Sequence, residues 1–261
     1  MSRKRLDLYL VEKGYAPSRE KAQTLIMAGL VFVDGKLQDK PGTYVREGQR
    51  VEVKSPPKFV SRAGYKLEDA LDRFNIDVQG FTALDVGSST GGFTQCLLMR
   101  GAKRVYAVDV GKGQMDPLLR RDERVALYEE TDARELTEKH VPEPIDIITI
   151  DVSFISVTKI LSHVIKFLRE GGVLLVLVKP QFEVGPQKVR KGIVRDLEAK
   201  RQAIMKVISY LHSLGFKIGG LIKARPRGSK GNEEFFLLAG RKLVELKNIE
   251  EAVEEALNEA I

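Results

Sequence analysis

The sequence predicts an open α/β domain with a Rossmann-like, mostly parallel sheet and an antiparallel edge hairpin, preceded by a small α+β domain. Three observations carry this. From Ser61 onward, short apolar runs alternate with amphipathic stretches, the pattern of strands separated by helices. The residues before that read differently, as two helices followed by short strands. Between the two parts lies Lys54-Ser55-Pro56-Pro57-Lys58, which has the composition of a linker. The expected division is residues 1–54, a linker over 55–60, and a second domain over 61–261.

In the front part, Leu6, Leu10 and Val11 mark one helical face. Ser18 is placed to cap a second helix that buries Ala22, Leu25 and Ile26 and stops at Gly29. Val31-Phe32-Val33 runs into Asp34-Gly35, a hairpin signal, and Val45, Val51 and Val53 supply further strand positions around a turn at Gly48. In the second part the expected strands are Ala83–Val86, Arg104–Val108, Val125–Tyr128, Ile145–Ile150 and Val173–Val178, with the clearest helix at Thr158–Leu168. The alternation predicts a parallel sheet covered on both faces. The end departs from it. A helix near Leu197–Leu214 leads to strands at Phe216–Leu221 and Phe235–Ala239 with no helix between them, hence an antiparallel edge hairpin. Ile249–Ile261 reads as a Glu-rich helix with Val253, Leu257 and Ile261 on one side.

Composition narrows the function classes. The net charge of +7 favours a polyanionic partner. The charge is polarised: residues 1–58 carry twelve Lys/Arg against seven Asp/Glu, whereas residues 245–261 carry six Glu against one Lys. A single cysteine, Cys96, excludes an internal disulfide and sits in an apolar run, so it is expected in the core. Three scattered histidines give no zinc pattern, and no metal is expected. The basic start lacks the apolar stretch of a signal peptide, and the longest apolar run, Val173 to Val178, is far short of the roughly 20 residues a membrane span needs. The expectation is a soluble, cytoplasmic protein.

The strongest motif is Leu84-Asp85-Val86-Gly87-Ser88-Ser89-Thr90-Gly91-Gly92-Phe93-Thr94, a strand entering a glycine-rich turn and then a helix. It is neither the dinucleotide fingerprint nor a Walker loop, because Ser88, Ser89 and Thr90 separate Gly87 from Gly91 and no Lys-Ser/Thr follows. Asp85 would be ill placed beside a pyrophosphate. It suits the amino-acid portion of a cofactor such as S-adenosylmethionine. Asp109 ends the next strand, where a carboxylate can accept from both ribose hydroxyls. Asp132 follows the third strand, where a base would lie. Asp151 and Lys179 follow the fourth and fifth strands, on the carboxyl edge where open α/β sheets bind ligands. An antiparallel last strand begins on that same edge, which brings Glu234 to it. Each of these charges alone is most simply a solvated surface group; their convergence beside the glycine turn favours a site.

Asp85…Gly91-Gly92, Asp151, Val178-Lys179-Pro180 and Gly231-Asn232-x-Glu234 resemble the FtsJ-type ribose methyltransferases. That resemblance implies a Lys-Asp-Lys-Glu tetrad. Ser61-Arg62-Ala63-Gly64-Tyr65-Lys66-Leu67 matches the segment carrying the first lysine, giving Lys66, and the family spacing selects Glu234 over Glu233. Arg5-Leu6-Asp7, Ser18-Arg19, Ala22, Leu25-Ile26, Gly29, Val31, Val33-Asp34-Gly35, Pro41, Gly48 and Val51 are similar to the RNA-binding fold named after ribosomal protein S-four. The order of the two modules is that of the TlyA group, sometimes labelled hemolysins, whose studied members methylate ribosomal RNA. The resemblance implies 2′-O-ribose methylation of ribosomal RNA or ribosomal subunits with S-adenosylmethionine, the front domain targeting the RNA.

Such a transfer is an in-line displacement in which the ribose hydroxyl must lie close to the methyl and lose its proton. Lys179 is expected to act as the base, aided by a neighbouring cation and partial desolvation; Lys66, Asp151 and Glu234 position it and the ribose. The RNA path is expected along Arg3, Lys4, Arg5, Arg19 and Lys21 in front, Lys188, Arg190, Lys191 and Arg195 after the Lys179 strand, and Lys223, Arg225, Arg227 and Lys230 before Glu234. The competing class is an RNA-binding ribosome-assembly factor that kept the fold without turnover; methyl transfer to ribosomal RNA discriminates. A membrane-lytic protein is disfavoured because the amphipathic tail is acidic, the wrong sign for anionic lipid.

Overall fold

The computed structural model describes residues 3–55, 57–228 and 231–260. Pro56 of the expected linker, Lys230 of the expected RNA path and Ile261 of the expected tail helix lie outside them. The chain divides into two compact units, Met1–Lys58 and Phe59–Ile261.

In the first unit, β1 (Arg3–Arg5), α1 (Leu6–Glu12), α2 (Arg19–Met27), β2 (Val31–Val33), β3 (Lys36–Gln38), β4 (Tyr44–Arg46) and β5 (Val51–Val53) follow in order. Strand β1 pairs with β4, and β2 pairs on either side with β3 and β5, all antiparallel. Ser18 caps α2, its Oγ accepting from Lys21 N at 3.3 Å. The core is aliphatic: Leu6, Leu10, Ala22, Ile26, Val31 and Val45 are buried. One charge is buried with them. Asp7 is fully enclosed and accepts from Arg5 Nε at 3.1 Å, Arg19 Nε at 3.0 Å, Gln23 Nε2 at 3.0 Å and Leu8 N at 2.9 Å. The Arg5 guanidinium foremost, with Gln23 and Arg19, holds its carboxyl well below the usual range despite burial. Arg5 and Arg19, expected on the RNA path, therefore also hold this unit together, linking β1 to both helices.

The second unit starts two residues earlier than composition indicates. Phe59 is buried, its ring edge-on to Tyr65 with centroids 5.0 Å apart, and Val60 N donates to Gln95 Oε1 at 2.7 Å. The elements are α3 (Arg62–Arg73), β6 (Thr82–Val86), α4 (Gly92–Met99), β7 (Arg104–Val108), α5 (Pro117–Arg120), β8 (Val125–Tyr128), β9 (Ile145–Ile150), α6 (Thr158–Val164), β10 (Leu168–Val178), α7 (Pro180–Glu183), α8 (Leu197–Ser213), β11 (Lys217–Lys223), β12 (Phe235–Gly240) and α9 (Ile249–Asn258). The strands form one seven-stranded sheet in the order β11-β12-β10-β9-β6-β7-β8. Strands β10, β9, β6, β7 and β8 are mutually parallel, and β12 runs antiparallel to both of its neighbours. This is the α/β architecture expected, with the antiparallel strand slotted between β10 and the true edge, β11. One face packs on α6, α8 and α9 through residues such as Ile148, Val176, Ile204 and Leu257, the other on α3 and α4 through Leu67, Leu71, Leu97 and Leu175.

The helix expected over Thr158–Leu168 ends as α6 at Val164, and two strand boundaries are displaced where charged residues enter the strand. Strand β10 begins at Leu168, with a register shift between Leu168 and Val173, so that Arg169 and Glu170 stand exposed in the irregular stretch and hide the strand from a hydrophobic reading. Strand β11 runs to Lys223, a charge buried to 3% exposure that no periodicity would assign to a strand.

Candidate active site

The order of strands reverses between β6 and β9, and at such a switch point the loops leaving the strands part to form a crevice. Gly87, Asp109, Asp151 and Lys179 each follow directly on the carboxyl end of a strand. Gly87 N donates to Val108 O at 2.9 Å, and Asp151 N donates to Val86 O at 2.9 Å, so the crevice floor is stitched to the sheet. Gly87 has φ +83°, and a Cβ there would strike the Asp151 carbonyl; only glycine lets the two loops approach this closely.

Two adjoining cavities open on this edge. The first, of about 430 Å³, is walled by apolar groups that include Val86, Val108, Val110, Ile155 and Ile160, with Asp109, Gln114 and Asp132 among its polar groups. The second, of about 300 Å³, is bounded by Ser61, Lys66, Ser88, Phe93, Asp151 and Lys179. Gly87, Ser89, Asp151 and Ser153 belong to both.

Asp109 accepts from Ser89 N at 2.8 Å and from Gly111 N at 2.7 Å, which pins the glycine turn to the end of β7. Asp132 faces the first cavity while holding Arg134, whose Nη2 lies 2.5 Å away, and capping the turn that follows with a bond from Arg134 N at 2.9 Å. Ser88 is buried at the edge of the second cavity, and its Oγ has no hydrogen-bond partner among the described residues.

Asp85 and Gly91, expected against the cofactor, line neither cavity. Asp85 is completely buried; its carboxylate accepts from Thr94 Oγ1 at 2.7 Å and Thr149 Oγ1 at 2.9 Å. It fastens the start of α4 to β9 beneath the turn. Its position in a motif could not reveal which way its side chain faces. Gly91 turns its α-carbon toward Leu119 and Met115 and so serves packing.

Burial, opposed by the two threonine hydroxyls, pushes the Asp85 carboxyl up to about 7. A carboxyl raised by folding binds its proton more tightly in the folded state, so stability is greatest below the unfolded value and is lost as pH rises through about 7. The expected slope from this one group is up to about 1.4 kcal/mol per pH unit across that window. Asp85→Asn keeps the shape and removes the titration. Denaturant unfolding at a series of pH values is expected to show the variant gaining on the parent chain as pH rises, and parallel profiles would count against it.

At the carboxyl edge of the sheet the four ionisable groups of the expected tetrad form two ion pairs. Lys66 Nζ lies 2.5 Å from Glu234 Oε2, both side chains less than a tenth exposed. Lys179 Nζ lies 2.6 Å from Asp151 Oδ1 and donates to Ser153 Oγ at 3.0 Å. Phe235 pairs with Val178 across β10 and β12, so Glu234 and Lys179 lie at neighbouring positions as the antiparallel reading requires. The neighbour Glu233 is committed elsewhere, with Lys200 Nζ 2.5 Å from its Oε2. Ser153, Val110 and Gln114 also line these cavities; hydroxyls, valines and amides in loops carry no distinguishing spacing in a sequence.

The cations of the expected RNA path divide. Lys191 is exposed, and Lys188 reaches Gln202 on α8. Lys4 pairs with Glu12. Arg227 lies 3.4 Å from Glu233. Lys223 is turned inward, and Arg225 is bound to the tail, its Nη2 2.6 Å from Glu259 Oε1 and 2.7 Å from Ala260 O. Lys223, at 3% exposure, serves the fold rather than a phosphate clamp, whereas Arg225 is tied to the tail with its side chain still 44% exposed.

A glycine-rich switch-point crevice with paired lysines and carboxylates at its rim defines a methyltransferase-like α/β site. The FtsJ-like methyltransferase family matches residues 59–241, and the S4 domain matches residues 4–51. The chain is 44% identical to a candidate rRNA methyltransferase of Bacillus subtilis over 241 residues, covering 90% of this chain and 85% of that one. It is 40% identical to the 16S/23S rRNA (cytidine-2′-O)-methyltransferase TlyA of Mycobacterium tuberculosis, covering 98% of both. The solved structure of a hemolysin candidate from Streptococcus thermophilus superposes with a TM-score of 0.74 at 36% identity, over 98% of this chain and 95% of that one. The chain belongs to the FtsJ-like methyltransferases and carries an S4 domain at its front.

Proposed function

We propose that this protein transfers the methyl group of S-adenosylmethionine to a ribose 2′-hydroxyl of ribosomal RNA, with the front domain selecting the RNA. The observation that carries the reading is the pair of lysine–carboxylate contacts, Lys66–Glu234 and Lys179–Asp151, of which Lys66, Asp151 and Lys179 line one cavity beside the glycine turn. The relatives named above as rRNA methyltransferases support the substrate class.

The residues present fit the cofactor. The apolar walls of the first cavity suit a purine, Asp109 faces it where ribose hydroxyls would bind, and the unpartnered buried hydroxyl of Ser88 awaits a polar group on the side of the second cavity. When bound, the sulfonium supplies an electrophilic methyl. The chain's part is to place and deprotonate the nucleophile. As the neutral amine, having first released its own proton to solvent, Lys179 accepts the hydroxyl proton; Asp151 and Ser153 fix where its nitrogen sits, and Lys66 with Glu234 holds the ribose. Much of the acceleration comes from in-line placement. The cations left facing solvent, Lys191 among them, suit phosphate contacts.

The test is transfer of tritiated methyl from the cofactor to ribosomal RNA followed by alkaline hydrolysis: a 2′-O-methyl group leaves the label in an alkali-resistant dinucleotide. Label in mononucleotides would place the methyl on a base, and no label would favour a non-catalytic assembly factor. Asp109→Ala is expected to weaken binding of the demethylated cofactor by tens of fold, from loss of charge-assisted hydrogen bonds worth roughly 1.5–3 kcal/mol. Calorimetry measures it, and unchanged affinity would remove the cofactor ribose from Asp109.

A further inference from the structure

The acidic tail has no part in the chemistry above, yet its end is held by side chains from α3, which carries Lys66, from the end of β11, and from the segment that follows β11. Lys223, buried at the end of β11, donates from Nζ to Leu257 O at 2.9 Å and to Glu259 O at 2.8 Å, closing the last turn of α9. Its own backbone N donates to Glu259 Oε2 at 3.2 Å. Arg225 reaches Glu259 Oε1 at 2.6 Å. From the other side, Arg73 at the end of α3 places Nη2 2.9 Å from Glu259 Oε1 and donates from Nη1 to Lys223 O at 3.1 Å. One carboxylate thus joins α3, the end of β11, and the loop that leads to β12.

Those are the elements whose relative placement sets the Lys66–Glu234 contact. Lys66 lies on α3 and Glu234 at the start of β12, with no covalent connection shorter than the whole sheet between them. Residues 224–228 and 231–232 close over Glu234: Ala224 N donates to Glu234 O at 2.8 Å, Gly228 N donates to Asn232 O at 2.8 Å, and a Cβ at Gly228 would strike the Glu234 carboxylate. Lys223 Nζ also lies 3.4 Å from Glu233, the residue preceding Glu234.

We propose that Glu259 is a positioning residue: by clamping Arg73, Lys223 and Arg225 it fixes α3 against the β11–β12 loop and so sets the geometry of the Lys66–Glu234 pair. This rests on the methyltransferase reading of the site. It gives the tail a role in turnover without a role in binding.

The test uses the full chain with Glu259→Gln, Glu259→Asp and a chain ending at Asn258. Amide hydrogen exchange, which needs no activity, is expected to speed at Ala224, Gly228 and the last turn of α3 in Glu259→Gln and the shortened chain. Exchange at the glycine turn and affinity for the demethylated cofactor are expected to stay as in the parent. In methyl transfer, kcat is expected to fall about ten-fold at unchanged KM for RNA, on a scale where about 1 Å of misplacement costs about a hundred-fold. Glu259→Asp, which keeps the charge, is expected to recover most of the loss. Unchanged exchange in both altered chains overturns the proposal, as does faster exchange with parental kcat, or a loss that falls on KM alone. If the parent itself transfers no methyl to ribosomal RNA, the functional reading fails, and the exchange data still decide whether Glu259 clamps the two elements.

Discussion

Replacing Lys179 by alanine is expected to abolish methyl transfer while leaving cofactor affinity nearly unchanged. Its amine belongs to the second cavity, between Asp151 Oδ1 and Ser153 Oγ, and it does not line the first cavity, where the adenosine portion would lie. General-base catalysis typically contributes about 10²–10⁴-fold, and misplacing the ribose adds to that loss. The substitution also leaves Asp151 without its cation, so folding must be checked alongside. Single-turnover rates with saturating RNA measure the effect. A near-parental rate in a folded variant that binds cofactor would remove Lys179 from the reaction.

Removing residues 1–58 is expected to leave a folded catalytic unit that binds cofactor but methylates ribosomal RNA poorly. The second unit keeps its own core on both faces of the sheet, and the cut spares Phe59, whose ring is part of that core. What is lost is a basic unit carrying a net charge of +5, twelve Lys/Arg against seven Asp/Glu. Covalent linkage of an RNA-binding module raises the local concentration of substrate. The loss should therefore appear as weaker RNA binding with a shallower salt dependence, by about one unit of slope per phosphate contact removed. Rates at saturating RNA should suffer less. Equal binding and equal methylation by the shortened chain at physiological salt would show that the front unit does not target the RNA.

The sheet was legible because its strands are apolar runs of ordinary length, and the antiparallel last strand followed from the missing helix between Phe216–Leu221 and Phe235–Ala239. That one topological step also brought Glu234 beside Lys179, which no local motif does. What stayed hidden has a common cause: sequence periodicity cannot tell which charged side chains fold inward. Asp85 sits in the strongest motif of the chain, yet its carboxylate serves two threonines beneath the turn. Lys223 and Arg225 read as loop cations beside a catalytic edge, and their partners lie at the tail, more than thirty residues away. Arg5 and Arg19 read as a basic patch because nothing in the sequence shows that both turn onto the buried Asp7. The start of β10 was obscured by Arg169 and Glu170 in an irregular stretch.

Where the methyl group ends up tests the proposed activity most directly. Ribosomal RNA from cells with and without the gene can be digested and mapped by mass spectrometry for 2′-O-methyl nucleotides. The expected result is one or a few 2′-O-methyl sites present only with the intact gene and missing when it encodes Lys179→Ala. Identical 2′-O-methyl maps in all three strains, or a difference confined to base methylation, would contradict it.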